Sequence, residues 1–327
     1  MKAALTYTAT NDYPDARQGM LDLYRRSYAR DNSAFFDSFY AGNPFGEPCL
    51  FLCHDGDRLV GQENYLRQMV ARNGRLLSVG LGVNTLIDSD YRLFHGVFGK
   101  LCKLSLEKLA GTFDLLCAYA NEESKKYYLK YYGWRIAARV QVYKKVTGFS
   151  GFGPEGLLSL LRPGGERKGL TLSRTGEYDP AILDPVIEGC RAISGFTFFY
   201  KTSAFLNWKF LRNTHYRIDG YYLMSGERVR GYCLTYDTPK ERRIIDILVE
   251  DNDPVLFGKA LSTLSHMTRK DGLSRLAIYA VPGCWYEKTL KRHFFFRRWE
   301  LDFIARSMGD EPPDGDWVIH MGDFDMF

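Results

Sequence analysis

The sequence is poor in histidine, with six in 327 residues, and it has no long apolar run. Nothing in it approaches the ~20 consecutive apolar residues of a membrane-spanning helix, so no membrane span is expected. The opening Met1-Lys2-Ala3-Ala4-Leu5-Thr6-Tyr7 has no apolar stretch of the signal-peptide kind. A cytoplasmic setting is the expectation. Also missing is a block of basic charge. Arg242-Arg243 and Arg297-Arg298 are only doublets in a chain with 44 Lys+Arg against 39 Asp+Glu, net +5. A nucleic-acid arm is therefore not expected, and the mild basic excess suits a phosphorylated small molecule. The seven cysteines lack metal-site spacing. Only Cys49 and Cys53 are close, and no second pair or nearby His-x-x-x-His supplies four converging ligands. They read as reduced buried thiols, and no metal is expected.

What the chain does have is a globular composition, 45% hydrophobic and 25% charged, with 22 Tyr and 22 Phe. Its length suits two domains. An internal repeat supports that division. Ser33-Ala34-Phe35-Phe36-Asp37-Ser38-Phe39-Tyr40-Ala41-Gly42-Asn43 lies over Ser203-Ala204-Phe205-Leu206-Asn207-Trp208-Lys209-Phe210-Leu211-Arg212-Asn213 at an offset of 170 residues. The same offset carries Gly56-Asp57-Arg58-Leu59-Val60-Gly61 onto Gly226-Glu227-Arg228-Val229-Arg230-Gly231. Breaker clusters at Thr147–Pro154 and Arg162–Gly165 mark the boundary. The expected domains are 1–147 and 169–327, with a linker over 148–168 and a short helix at Glu155–Leu161.

Periodicity gives each half the same order of elements. The first reads as a strand at Ala3–Thr8, a helix at Ala16–Arg30, and antiparallel strands at Cys49–Cys53, Leu59–Val70 and Leu76–Ile87. The turns Asp55-Gly56-Asp57 and Arg72-Asn73-Gly74 join them. A helix at Phe94–Ala110, a strand at Phe113–Tyr119, a helix at Glu122–Tyr132 and a strand at Arg135–Lys144 follow. The second half predicts strands over 169–175, 220–225, 229–236, 243–249, 274–281 and 295–305, and helices over 180–193, 203–211, 254–270 and 284–293. The fold class is α/β in the α+β sense: two units, each a mostly antiparallel mixed sheet flanked by helices.

The first half resembles the GNAT superfamily of acyl-CoA N-acyltransferases. Ile87-Asp88-Ser89-Asp90-Tyr91-Arg92 looks like the end of the GNAT fourth strand entering the pyrophosphate loop. Ala120-Asn121-Glu122-Glu123-Ser124, followed by Tyr131-Tyr132-Gly133-Trp134, looks like the helix that closes that fold. The stretch Arg92–Gly99 departs from the usual loop: it is one residue longer before the glycine, and His95 stands where glycine is usual. Across the whole chain, several features occur in order: Asn43-Pro44-Phe45-Gly46, Asn121 with Gly133-Trp134, Tyr200-Lys201-Thr202, Ile245-Asp246, and the ending Asp316–Asp325. That set resembles the tandem-GNAT enzymes that acylate an amino group on a dTDP-linked deoxysugar. The resemblance implies acyl-CoA as co-substrate on the first half, with acetyl or 3-hydroxybutyryl-like groups carried. It also implies an amino-sugar nucleotide as acceptor, surface polysaccharide synthesis as setting and a homodimer as assembly.

Candidate residues follow. Alternation along 76–87 puts Ser78, Asn84 and Leu86 on one face with Asp88 at the end, a polar path for the proton that amide formation releases. A backbone N–H near Leu86–Asp88 would hold the oxyanion. The resemblance implies acyl-CoA contacts at Leu86, Ile87, Arg92, Gly96, Val97 and Asn121. It also implies a helix tyrosine at Tyr128 or Tyr127 that protonates the departing thiolate, and His320 as donor or base. Tyr200 and Lys201 could meet a nucleotide phosphate. Asp246, in an apolar strand, is either a buried salt-bridge partner or a substrate contact, and Trp317 in the last strand and Asn84 are expected substrate contacts. The run Glu250-Asp251-Asn252-Asp253-Pro254 is expected to repel CoA from the second half. Two other readings stay open: a peptidoglycan-type aminoacyl transferase, although no heptad arm is present, and a non-catalytic GNAT-like binding protein.

Overall fold

The computed structural model describes residues 4–28, 33–92, 96–148, 169–193, 195–213 and 215–324. Expectations that fall elsewhere, namely the helix Glu155–Leu161, nearly all of the linker and the Leu93-Phe94-His95 stretch, lie outside the described residues.

The chain divides into two compact units. The first holds Met1–Val70, Leu77–Ala137 and Phe303–Asp314; the second holds Ala71–Leu76, Ala138–Asp302 and Gly315–Phe327. The expected cut at 147 assigned 303–314 to the second half and 138–147 to the first. By compactness each of these segments belongs with the other unit.

In the first unit, β1 (Thr6–Thr10), β2 (Cys49–Asp55), β3 (Arg58–Arg72) and β4 (Arg75–Ile87) follow one another in the sheet, and β5 (Leu115–Ala118) joins parallel to β4. The sixth strand is not β6 (Arg135–Val146). It is the end of β13 (Phe296–Ser307), where Ile304–Ser307 run antiparallel to Ala118–Leu115. Helices Tyr13–Tyr28, Ser33–Tyr40, Val97–Leu109 and Glu122–Tyr131 flank this sheet. Gly56 and the Asn73-Gly74 pair take the positive φ that tight hairpins demand. Val97–Leu109 turns Val97, Leu101, Cys102 and Leu109 inward, each aliphatic one worth about 1.5–3 kcal/mol of burial.

The second unit repeats the order. β7 (Thr171–Thr175), β9 (Ile218–Ser225), β10 (Arg228–Asp237), β11 (Glu241–Val249) and β12 (Arg275–Ala280) form its sheet, and Gln141–Val146 of β6 closes it antiparallel to β12. The short strands β8 (Thr197–Tyr200) and β14 (Trp317–Val318) pair parallel to each other. The repeated aromatic helix opens as α at Ser203–Leu206 and widens to a π turn over Asn207–Leu211. There Asn207 uses its whole amide to hold the Tyr178 backbone, at 2.8 and 2.9 Å. Mixed sheets flanked by helices are what the periodicity led us to expect.

Candidate functional site

The central feature of the first unit is a fork. β4 and β5 are paired only from Val79–Leu115 to Gly82–Ala118, after which β4 runs on to Ile87. Its β5-facing edge from Val83 onward has no ladder partner among the described residues, so extended backbone is left to pair with something else. Within that stretch Asn84 has φ 49°, a left-handed conformation rarely found in a strand. Such a residue costs about 1–3 kcal/mol unless its surroundings hold it. They do: Gln62 Nε2 donates to the Asn84 carbonyl at 2.9 Å, and Asn84 Nδ2 donates to the Tyr40 hydroxyl at 3.2 Å. Asn64 Nδ2 donates to the same hydroxyl at 3.1 Å. Gln62 Oε1 and Asn64 Oδ1 are buried with no hydrogen-bond partner among the described residues.

Past the fork, Gly96 sits at the N-cap of Val97–Leu109 in a left-handed conformation, and no atom of the described residues lies within 4 Å of where its Cβ would be. A glycine cannot cap with a side chain, so the first amides of this helix face outward without one. The helix also stays close to the sheet. A Cβ on Gly61 of β3 would come within 2.7 Å of Val97 and 3.0 Å of Ile87, so only glycine permits this approach. An extended amide-bearing arm along β4, ending in an anion at the helix N-terminus, fits this geometry.

On the same face of β3 as Gly61, opposite Gln62 and Asn64, lies Glu63, 0% exposed. It accepts from the hydroxyls of Tyr65, Tyr128 and Ser105, each at 2.9 Å, and from Cys102 Sγ at 3.6 Å. Burial pushes its carboxyl up, and those four hydrogen bonds offset part of the rise. Burial and the Glu63 charge likewise push the Tyr128 phenol well up.

The expected site residues fare differently. Tyr128 is buried on the helix Glu122–Tyr131, with its hydroxyl on Glu63 and its ring against Phe98 and Trp134. Tyr127 is 53% exposed and touches Phe98 edge to face. Leu86 and Ile87 are buried at the end of β4, and Arg92 Nε donates back to the Ile87 carbonyl at 3.0 Å. Asn121 has a capping role: its Oδ1 accepts from the Glu123 and Ser124 amides at 3.1 and 2.9 Å. The proton path through Ser78 and Asp88 needs correction. Ser78 precedes the fork, and its hydroxyl and amide both bind the Asp114 carboxylate, at 2.8 and 2.7 Å. Asp88 is held by Arg58 at 2.7 Å and Arg26 at 3.2 Å, and it accepts from the Asp90 amide. Burial alone would raise its carboxyl, but Arg58, the Asp90 amide and Arg26 outweigh it and hold the group below the ordinary range. Such a carboxylate anchors the end of the strand and is a poor base.

In the second unit Lys201, Asp246 and His320 converge, as a shared site required, but on each other. Lys201 is 4% exposed, with Nζ 2.8 Å from Asp246 and 2.5 Å from Asp323. Burial disfavours its charge, yet Asp246 and Asp323 outweigh burial and raise the ammonium. Burial would raise Asp246, and Lys201 and His320 bring it down. Burial lowers His320 in spite of both carboxylates; the ring stacks on Tyr286 at 5.6 Å, with Nε2 4.0 Å from Asp246. These groups line a cavity of ≈ 30 Å³ with Tyr232 and Trp285, room for about one water. Lys201 is thus neutralised internally and is not a free phosphate cation. The Tyr200 hydroxyl binds Glu188, and Trp317 is buried beneath Arg72.

This unit has its own fork, since β11 pairs with β12 only from Glu241–Arg275 to Ile244–Ile278. Here the chain itself lies against β11. A Cβ on Gly322 would come within 3.2 Å of Ile245, and Lys209 donates to the Gly322 carbonyl at 2.7 Å. The acidic run after β11 is also largely engaged, with Glu250 on Arg228 at 2.5 Å and on Arg230, and Asp253 capping Pro254–Lys270.

Tyr40, Gln62, Glu63 and Asn64 were missed in the sequence. The signal was there: Gln62-Glu63-Asn64 is a polar run inside a strand bounded by Leu59-Val60 and Tyr65-Leu66.

Three solved structures share this mixed-sheet fold along nearly the whole chain. A conserved Enterococcus faecalis protein, described as "Probable N-Acyltransferase", matches with a TM-score of 0.72 at 16% identity, over 94% of this chain and 73% of its own. A GCN5-related N-acetyltransferase from Anabaena variabilis gives 0.69 at 12% identity, over 93% and 73%. Another from Kribbella flavida gives 0.65 at 12%, over 93% and 71%. The likeness is one of fold. No family model matches the sequence, and no curated protein does.

Proposed function

We propose that the chain is an acyl-CoA-dependent N-acyltransferase whose donor lies along β4 of the first unit. The observation that carries this reading is the fork: β4 freed of β5 from Val83 to Ile87, followed by an open glycine-led helix N-terminus. When bound, the thioester supplies an activated acyl group. The freed β4 amides pair with the pantetheine arm and hold the carbonyl oxygen as it gains charge. The outward amides of Val97–Leu109 take the pyrophosphate. Tyr128 supplies a proton to the sulfur. The acceptor enters as a neutral amine on the Asn84 face, where Gln62 Oε1 and Asn64 Oδ1 offer unoccupied acceptors to its N–H groups. Its surplus proton leaves to water, because Asp88 is tied to two guanidinium groups.

For the acceptor we put forward an amino group on a dTDP-linked amino-deoxysugar, as in surface polysaccharide synthesis; the order of motifs along the chain supports it. The test is calorimetric titration with CoA and acetyl-CoA, then thiol release from acetyl- and 3-hydroxybutyryl-CoA across a panel of dTDP- and UDP-amino sugars. Saturable CoA binding and release with a dTDP-amino sugar are expected. No CoA binding would refute the donor assignment. Binding with transfer only to other amines would refute the acceptor.

A further inference from the structure

We infer that Glu63 is a positioning residue that keeps a proton in reserve for the Tyr128 hydroxyl during acyl transfer, an inference that rests on the donor reading above. A carboxyl with 0% exposure needs a counter-charge or a reason to exist. No cation acts on Glu63 among the described residues; its partners are two phenols, a serine and a thiol. An apolar residue would pack there at lower cost.

Its place in the fold suggests the reason. The Tyr65 ring lies at the fork point, where a Cβ on Gly82 would be 3.5 Å from Tyr65 Cε1. The Tyr128 hydroxyl interacts with the side chain of Thr85, on the freed stretch of β4. One buried carboxyl therefore holds two phenols that bracket the parting of the strands.

A protonated Glu63 fits these contacts. With its proton on Oε1 the carboxyl donates to the Tyr128 hydroxyl oxygen 2.9 Å away, which leaves the Tyr128 hydrogen for the sulfur, while Ser105 donates to Oε2 at 2.9 Å. Burial supports this state by disfavouring the carboxylate. In the transfer step the carbon–sulfur bond breaks and the thiolate takes the Tyr128 proton. Across the 2.9 Å contact Tyr128 then takes the Glu63 proton. The carboxylate regains one from solvent, which has received the proton lost by the amine, so no net proton is gained or lost.

The test has two readouts, with acetyl-CoA as donor and hydroxylamine as a small acceptor. By infrared spectroscopy, the free protein at neutral pH should show a protonated-carboxyl band that Glu63→Gln removes. By kinetics, Glu63→Gln and Tyr128→Phe should each lower kcat by ~10²-fold with little change in KM for acetyl-CoA, and the double variant should be no worse than either. The alkaline limb of the kcat profile should disappear in Glu63→Gln. Ser105→Ala, which removes one hydrogen bond to the carboxylate, should move that limb to higher pH. A missing band, or wild-type turnover in Glu63→Gln, overturns the inference. If Glu63→Gln does not fold, an unshifted limb in Ser105→Ala overturns it. Absence of CoA binding by the wild type would remove the donor reading and this inference together; binding and turnover with an unaffected Glu63→Gln would remove this inference alone.

Discussion

Replacing Lys201 by Met should show that the cluster in the second unit is held together by one cation. Methionine keeps most of the aliphatic stem and removes the charge. Asp246 and Asp323, which sit 2.8 and 2.5 Å from the ammonium and are both almost fully buried, are then left facing each other without it. Breaking a buried pair in this way costs about 3–5 kcal/mol. That is a large part of the roughly 5–15 kcal/mol that keeps a domain folded. For a unit of this size it corresponds to a fall in Tm of roughly 10 °C. The pH dependence separates this cause from lost packing. In the wild type Lys201 holds Asp246 below its unfolded value, so that contribution is fully present above the ordinary carboxylate range. It is lost as pH falls through the lowered folded value. In the variant, burial without the ammonium raises the Asp246 carboxyl, so it destabilises the fold near neutrality and ceases to do so once protonated. The gap between wild type and Lys201→Met should therefore be widest near pH 7 and close as pH falls toward 4. Urea unfolding at several pH values measures it. A gap below about 1 kcal/mol at pH 7, or one that does not change with pH, would refute the reasoning.

Three further outcomes are expected. Asp88→Asn should leave turnover within about tenfold of wild type, because a carboxylate paired with Arg58 and Arg26 is poorly suited to take a proton, while lowering the urea midpoint by an amount equivalent to about 1–2 kcal/mol through the loss of that pairing; a hundredfold kinetic loss would restore a base role. Gly61→Ala should push Val97 and the start of its helix off β3, at about 1–3 kcal/mol, and weaken CoA binding measured by calorimetry. A fragment of residues 1–147 should be insoluble or unfolded by circular dichroism, because it lacks the Ile304–Ser307 partner of β5; a folded, soluble fragment would show that β5 tolerates an open edge.

Much of the fold was legible because periodicity and turn glycines are local signals. Asp55-Gly56-Asp57, Asn73-Gly74 and the 170-residue repeat placed the hairpins and doubled the unit. Strand partnership is not local. Nothing in Arg135–Val146 says that it closes the second unit's sheet, and nothing in Phe296–Ser307 says that its end closes the first. For the candidate site, motif order pointed to the end of β4, and the structure places Lys201, Asp246 and His320 beside one another. What composition could not reveal was pairing. Asp88 and Ser78 look like a proton path until Arg26, Arg58 and Asp114 occupy them. The left-handed turn at Asn84 was equally hidden, since it depends on Gln62 and Tyr40 from other elements.

The exchange of closing strands has a consequence for how the molecule is made. Residues leave the ribosome in order, so β5 emerges long before the strand that will cover its free edge. For most of synthesis the first unit is a five-stranded sheet with a raw side at Leu115–Ala118, and the helix of the nascent chain that follows cannot seal it. Only when 304–307 clear the exit tunnel does that side close. The second unit's sheet has no such wait at β12, because Gln141–Val146 are made before the strand they join. That unit still takes in its last segment, with Trp317 and Asp323, after 304–307 have emerged, so neither half is complete until the chain is nearly finished.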